Sequence, residues 1–259
     1  MLMNMPPAPA VPADDYVDRR DQPLRDLDGP REMPITLALN DEAVATLLAT
    51  PESLEPLAIG HAFTAGWITR GDQVSDIAIS RLRHGLRVRL AVPARLARQA
   101  ARRAPREASV SSCGACGASE EAEVMAGLTR LPPHPVLSGE ALRQGLAALE
   151  ARHCRGQHTA LGLDARGEVM AQGQDIGRHN ALDRVIGEGL LNGTPPEAVL
   201  VSSRCSLELV QKTVRAHIPT LATLSLPSAL AVEVARACEL NLVCCHRGRS
   251  LELFSGRLS

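Results

Sequence analysis

The chain has 259 residues, 45% hydrophobic and only 2% aromatic, with a formal net charge of -1. That length supports one substantial core, or a large domain with a smaller one attached, built from Leu, Val, Ile and Ala rather than rings. Near-neutral charge excludes a general nucleic-acid binder held by phosphate contacts. The most apolar region, 219–245, is broken by Pro227, Glu233, Arg236 and Glu239 and so excludes a membrane span.

Residues 1–30 are rich in Pro, Asp and Arg and read as a disordered tail. They have no basic start and no apolar h-region, which excludes a signal peptide and places the protein in the cytoplasm. "EMPITLALND" and "EAVATLLA" then alternate as two strands joined at Asn40-Asp41. "SLEPLAIGHAFTAGWI" reads as a helix with Ser53 as its N-cap. "VSDIAIS" and "GLRVRLAV" alternate again, and "PARLARQAARRA" is helical, with Pro93 near its first turn. These elements make a small α+β domain over 31–107.

Residues 108–119 carry a CxxC pair, Cys113 and Cys116, inside "SVSSCGACGAS". Beyond it, 120–259 read as an α/β domain. "SGEALRQGLAALEARH" is a helix, and "HTALGLDARGEVMAQG" is two strands around a turn at Ala165-Arg166-Gly167. "HNALDRVIGEGLL" is a helix. "AVLVSS", "SLELVQKTVRAH", "PTLATLS", "PSALAVEVARAC" and "LNLVCCH" then alternate strand and helix. Short apolar strands alternating with helices predict a parallel or mixed sheet covered by helices.

The CxxC pair has four plausible uses. Structural zinc needs four ligands. The only second pair, His153 and His158, is separated from Cys116 by 36 intervening residues, and Cys244, Cys245 and His246 are too close together for a second knuckle. Thioredoxin-type exchange wants a strand before the motif and a helix after it. A deaminase-type catalytic zinc wants H-x-E and P-C-x-x-C, and neither is present. Sulfur carriage wants a mobile, exposed thiolate. A Gly/Ser/Ala run of this length spans about 18 Å r.m.s. and roughly 35 Å when stretched. Arg95, Arg98, Arg102, Arg103 and Arg106 upstream favour a thiolate. The seven cysteines, an odd number, are expected as thiols rather than disulfides.

Three strand-to-helix or strand-end loops carry chemistry suited to a polyanion. "QGQDIGRHN" offers Arg178 and His179, with Gly173 and Gly177 permitting close backbone approach. "SSRCS" offers Arg204, and "HRGR" offers Arg247 and Arg249. His158 and Asp175 suit a buried structural role as well as a binding one.

From about residue 32 to 256 the sequence resembles the formate dehydrogenase accessory sulfurtransferase family. The resemblance rests on "TPESLEPLAIGHAFTAGWI", "SSCGACG", "GQDIGRHNALDRVIG", "VSSRCSLELVQKT", "SLPSALAVEVA" and "LVCCHRGRSLELFS". It implies a cytidine-deaminase-like three-layer α/β core without the deaminase zinc, beside the smaller domain and a mobile CxxC loop. It implies that Cys113 takes sulfur as a persulfide from a cysteine desulfurase, with Cys116 assisting or resolving. The sulfur then goes to the molybdenum cofactor, bis-molybdopterin guanine dinucleotide, before that cofactor enters formate dehydrogenase. The cofactor stretch falls on Cys245, His246, Arg247, Gly248, Arg249 and Ser250. Here "CCHRGRS" departs from the family's Gly-Phe and Gly-Gly-Arg, and Ala65 stands where Glu is common. The resemblance also implies a homodimer and no structural metal. A delivery chaperone that binds the molybdenum cofactor without sulfur chemistry is the alternative.

Overall fold

The computed structural model describes residues 29–103, 128–134, 136–246 and 250–259. The described chain is mixed α/β, with two mixed sheets and six α-helices. No helix among the described residues is long and apolar enough to cross a membrane.

The first sheet has strand order β2-β1-β4-β3. β1 (Met33–Leu39) and β2 (Glu42–Ala49) form the hairpin that the sequence predicts, with Asn40 at φ 54° in the turn. Asn is among the few residues that tolerate this left-handed region. β3 (Asp76–Arg81) pairs antiparallel with β4 (Leu86–Ala91), and β4 runs parallel to β1. α1 (Leu54–Thr64) and α2 (Ala94–Arg103) share one buried cluster with Ile35, Leu37, Leu39, Val88 and Leu90 of the sheet. Ser53 occupies the N-cap position of α1 but adopts φ 43°, and its side chain caps nothing. Its carbonyl instead accepts a hydrogen bond from Arg184 Nη1 at 2.8 Å. That tie, unreadable from local sequence, replaces the expected cap.

The second sheet has order β10-β9-β8-β7-β5-β6. Its strands are β5 (His158–Leu163), β6 (Val169–Asp175), β7 (Ala198–Arg204), β8 (Thr220–Ser225), β9 (Asn241–Cys245) and β10 (Leu251–Ser255). β5 is antiparallel to both β6 and β7, while β7, β8 and β9 are parallel. β6, β7, β8 and β9 therefore all point one way, and their carboxyl ends share one rim.

The crossover helices are α4 (Arg178–Asn192), α5 (Leu207–Arg215) and α6 (Ala229–Ala237), and each crossover steps in the same direction along the sheet. Right-handed crossovers then put all three helices on one face. Their residues Leu182, Val185, Leu209, Val210, Ala231 and Val234 cluster with Val199, Val201, Leu221 and Leu242. α3 (Gly139–Ala151) covers the other face, meeting Leu161, Leu163, Leu200 and Val243. The result is three layers, with the strand alternation dividing its apolar residues between two clusters.

α1 also packs directly against α4. A Cβ at Gly60 would lie 1.8 Å from the Asp183 carbonyl oxygen, and one at Gly187 would lie 1.9 Å from that of Pro56. Only glycine lets the two backbones come this close.

Candidate functional site

The rim begins where β6 ends. Asp175 is fully buried, and its carboxylate accepts from Gly177 N (2.9 Å), Asn180 Nδ2 (3.0 Å), Thr50 N (3.1 Å) and Arg184 Nη2 (2.5 Å). Arg184, itself 2% exposed, also donates to the carbonyls of Thr50 (2.7 Å) and Ser53. "DIGRHNALDR" is thus a clamp that fixes the β6–α4 turn to the loop between β2 and α1. Asp175 takes the structural role. Gly173 serves packing rather than a ligand, because a Cβ there would lie 2.1 Å from the Ala181 carbonyl oxygen of α4.

Arg178 opens α4 on this turn. It is half-buried, and its Nε is buried without an acceptor among the described residues. His158, paired in register with Asp175, lies within its influence. Burial first, and the Arg178 charge second, hold the His158 pKa below its ordinary value, with Asp175 pulling the other way. His179 is 3% exposed and reaches the next loop, with Nε2 3.3 Å from Ser206 Oγ and 3.1 Å from Glu208 Oε2. It therefore ties the β6–α4 and β7–α5 turns together from beneath the surface.

Arg204 ends β7, exposed, opposite Ser225 of β8. Cys245 ends β9 at 1% exposure with its side chain in the α3 layer, so its backbone, not its thiol, faces the rim. His246 follows, pairing through Nε2 with Glu252 Oε2 at 2.8 Å, and its N–H donates to the carbonyl of exposed Ser250 at 3.0 Å. Arg247, Gly248 and Arg249 lie outside the described residues, as do Cys113 and Cys116. β6 and β9 are four strand spacings apart, about 19 Å, with Arg204 between them. His179 joins the start of α4, which Arg178 opens, to the β7–α5 turn, and His246 and Ser250 lie further along the same rim.

Three helices start at this rim, so three positive dipole ends face it. Ser228 caps α6 by accepting from Ala231 N at 3.3 Å. α4 begins at Gly177 and α5 at Ser206, and neither cap residue accepts a side-chain bond from its own helix. Uncapped N–H groups at two adjacent helix starts, with two arginines beside them, suit a negatively charged group.

The four buried described thiols, Cys205, Cys238, Cys244 and Cys245, suit no nucleophilic role at the rim. Burial pushes Cys205 and Cys245 up to about 12 and raises Cys238 and Cys244. A thiol so held stays protonated and unreactive at neutral pH.

Beneath the rim lies a second buried polar group that the sequence does not announce. Asp183 of α4 accepts from Lys212 Nζ of α5 (2.9 and 2.8 Å) and from Thr64 Oγ1 of α1 (2.8 Å), and His61 Nδ1 lies 3.1 Å from it. Lys212 Nζ also donates to Thr64 Oγ1 at 2.9 Å. Burial alone would raise the Asp183 pKa, but the Lys212 charge and the His61 contact carry it down to about 2. Burial holds His61 below its ordinary value. Its ring meets Trp67 edge-on at 5.2 Å. These residues lock three helices together; their partners lie 29 to 148 positions apart in sequence, so no local pattern reveals them.

Residues 30–258 match the model of the FdhD/NarQ family. Two curated relatives are called sulfur carrier protein FdhD. That of Variovorax paradoxus is 34% identical over 86% of this chain and 83% of its own length. That of Burkholderia cenocepacia is 36% identical over 82% of each. In the solved structures, a candidate formate dehydrogenase accessory protein from Desulfotalea psychrophila shares the fold. It superposes with a TM-score of 0.67 at 23% identity, over 88% of this chain and 90% of that one. The match over nearly the whole chain, together with relatives above 30% identity, makes this chain a member of the FdhD/NarQ family.

Proposed function

We propose that the chain is a sulfur carrier acting in formate dehydrogenase maturation, with Cys113 as the thiol that bears the sulfur. One observation carries this reading: a chain whose relatives are called sulfur carriers holds its buried described thiols protonated but has a CxxC pair in a Gly/Ser-rich stretch. A desulfurase persulfide passes its outer sulfur to the Cys113 thiolate, leaving the desulfurase thiol and a Cys113 persulfide. Attack by the Cys116 thiolate on the inner sulfur then expels hydrosulfide. The two cysteines supply the two electrons as they are oxidised to the Cys113–Cys116 disulfide.

The acceptor in this reading is the molybdenum cofactor, held by its phosphates on the rim among Arg178, Arg204 and the His246–Ser250 loop. The uncapped starts of α4 and α5 and the orphaned Arg178 Nε support an anionic ligand there. The three-layer arrangement and the absence of H-x-E support a cytidine-deaminase-like core that holds the cofactor as cargo without a catalytic zinc. A cysteine desulfurase, the formate dehydrogenase catalytic subunit and a second copy of the chain complete the proposed partners.

Activation of formate dehydrogenase in cells lacking the native carrier tests the proposal. Cys113→Ala is expected to abolish activation while the protein still binds guanine nucleotide. Full activation by Cys113→Ala would instead support the delivery chaperone.

A further inference from the structure

Among the described residues, the four-stranded sheet packs one face against α1 and α2, and its other face carries exposed and half-buried polar side chains around a buried Ala38. Ile35, Leu37, Leu39, Val88 and Leu90 point into the cluster shared with α1 and α2. Strand alternation therefore sends Thr36, Thr46, Ser80, Arg87 and Arg89 to the opposite face. The register lines them up. Thr46, Thr36, Arg87 and Ser80 form one row across all four strands, and Ala43, Ala38, Arg89 and Ala78 form the next but one. Thr46 and Ser80 are exposed. Arg87 and Arg89, whose Cα atoms stand about 7 Å apart along β4, thus share one face with hydroxyls and methyls.

The charge balance here is lopsided. Residues 66–103 contain nine arginines and two aspartates, a local charge of +7 in a chain whose total is -1, and four of those arginines, Arg95, Arg98, Arg102 and Arg103, belong to α2 behind the sheet. Some surface cations of this chain pair locally, as Arg70 with Asp72 and Arg143 with Glu140. On this face Arg89 has one long contact, 3.4 Å to exposed Asp76. Arg87 has no ion-pair partner among the described residues, and its Nε finds no acceptor there. Arg83 extends the same charge into the exposed β3–β4 turn.

We propose that this open face, centred on Arg87 and Arg89, is a docking surface for an acidic segment of a partner protein. Carboxylates match the guanidinium fork, and the flanking Thr36 and Ser80 hydroxyls can donate to the same oxygens. A nucleic acid fits less well. Among the described residues the face offers no aromatic ring for base stacking. The proposal is separate from the sulfur-carrier reading and stands or falls without it.

The test is fluorescence anisotropy of the full chain with a labelled poly-L-glutamate of about 20 residues, beside a single-stranded DNA of matched charge. Wild type is expected to bind polyglutamate, more weakly as salt rises, and the DNA no better. Each exposed charge contact is modest, so Arg87→Glu/Arg89→Glu should weaken polyglutamate binding by about tenfold or more. Arg87→Gln/Arg89→Gln should weaken it by about threefold, which serves if the reversal disturbs folding. Arg98→Glu, exposed on α2 behind the sheet, should change it by less than about twofold. Equal binding by wild type and both double variants would overturn the proposal, as would an equal loss with Arg98→Glu. Tighter DNA binding lost in the same variants would make the face a nucleic-acid site. Binding that emerges only after removal of residues 1–28, which hold six aspartates and three arginines, would make the chain's own tail the occupant.

Discussion

Asp183→Asn is the sharpest test of what holds the rim helices in place. The substitution keeps the side-chain volume and removes one charge. It leaves Lys212, 7% exposed at its side chain, facing a neutral amide in the interior, and leaves one acceptor oxygen where Lys212, Thr64 and His61 shared two. Removing one partner of a buried pair typically costs about 3–5 kcal/mol, a large share of a domain's total stability. Urea denaturation should show that loss as a lower midpoint with little change in slope. Lys212→Met added to Asp183→Asn removes the stranded charge while keeping the aliphatic stem, and should recover part of it. The pH dependence has a fixed sign. Asp183 goes from an ordinary value of 3.8 to about 2 on folding. A depressed carboxylate gives stability that is fully present above pH 4 and is lost as pH falls through 2, about 2 kcal/mol in all. His61, also depressed, resists protonation in the folded state and so adds a loss of the same sign below its ordinary 6.5. The Asp183 part should vanish in the Asn variant. A midpoint shift worth less than about 1 kcal/mol would refute the claim that this pair is desolvated and matched.

Gly187→Ala should reverse the usual helix rule. Ala normally gains up to about 1 kcal/mol over Gly in a helix, but here the methyl meets the Pro56 backbone at 1.9 Å, so thermal melts should show a loss of about 2 kcal/mol or more. Arg178→Ala and Arg204→Ala should each weaken guanine-nucleotide binding by roughly tenfold in calorimetry without changing sulfur loading; unchanged affinity in both would move the ligand off this part of the rim. Cys116→Ala should accept sulfur normally yet release it slowly in a sulfide-release assay, and normal release would remove its resolving role.

The parts of the fold legible in sequence were those written in short-range pattern. The Asn40 turn, the alternation of β1 and β4, and the strand–helix succession from Ala198 onward all follow from side chains within a few residues of one another. β10 escapes the sequence pattern because "LELFS" is five residues with mixed burial. Ser53 was read as a cap because residue type signals capping, whereas Arg184 decides its conformation from 131 positions away. The same distance hides the site's supports. Arg178 and Arg204 could be nominated from charge near a strand end. His179 could not be known to face Ser206 and Glu208, nor Asp183 to hold Lys212, until strand order had placed α4 beside α5. In sequence, Arg184 and Lys212 look like ordinary solvated helix charges. They are buried because acceptors from other elements surround them.

The most direct test of the central claim is intact-protein and peptide mass spectrometry after incubation with a cysteine desulfurase and cysteine. The account predicts a gain of one sulfur atom, mapped to Cys113, removed by a thiol reductant and absent from Cys113→Ala but present in Arg178→Ala and Arg204→Ala. A protein that gains no sulfur, or gains it equally when Cys113 is replaced, would contradict the carrier assignment.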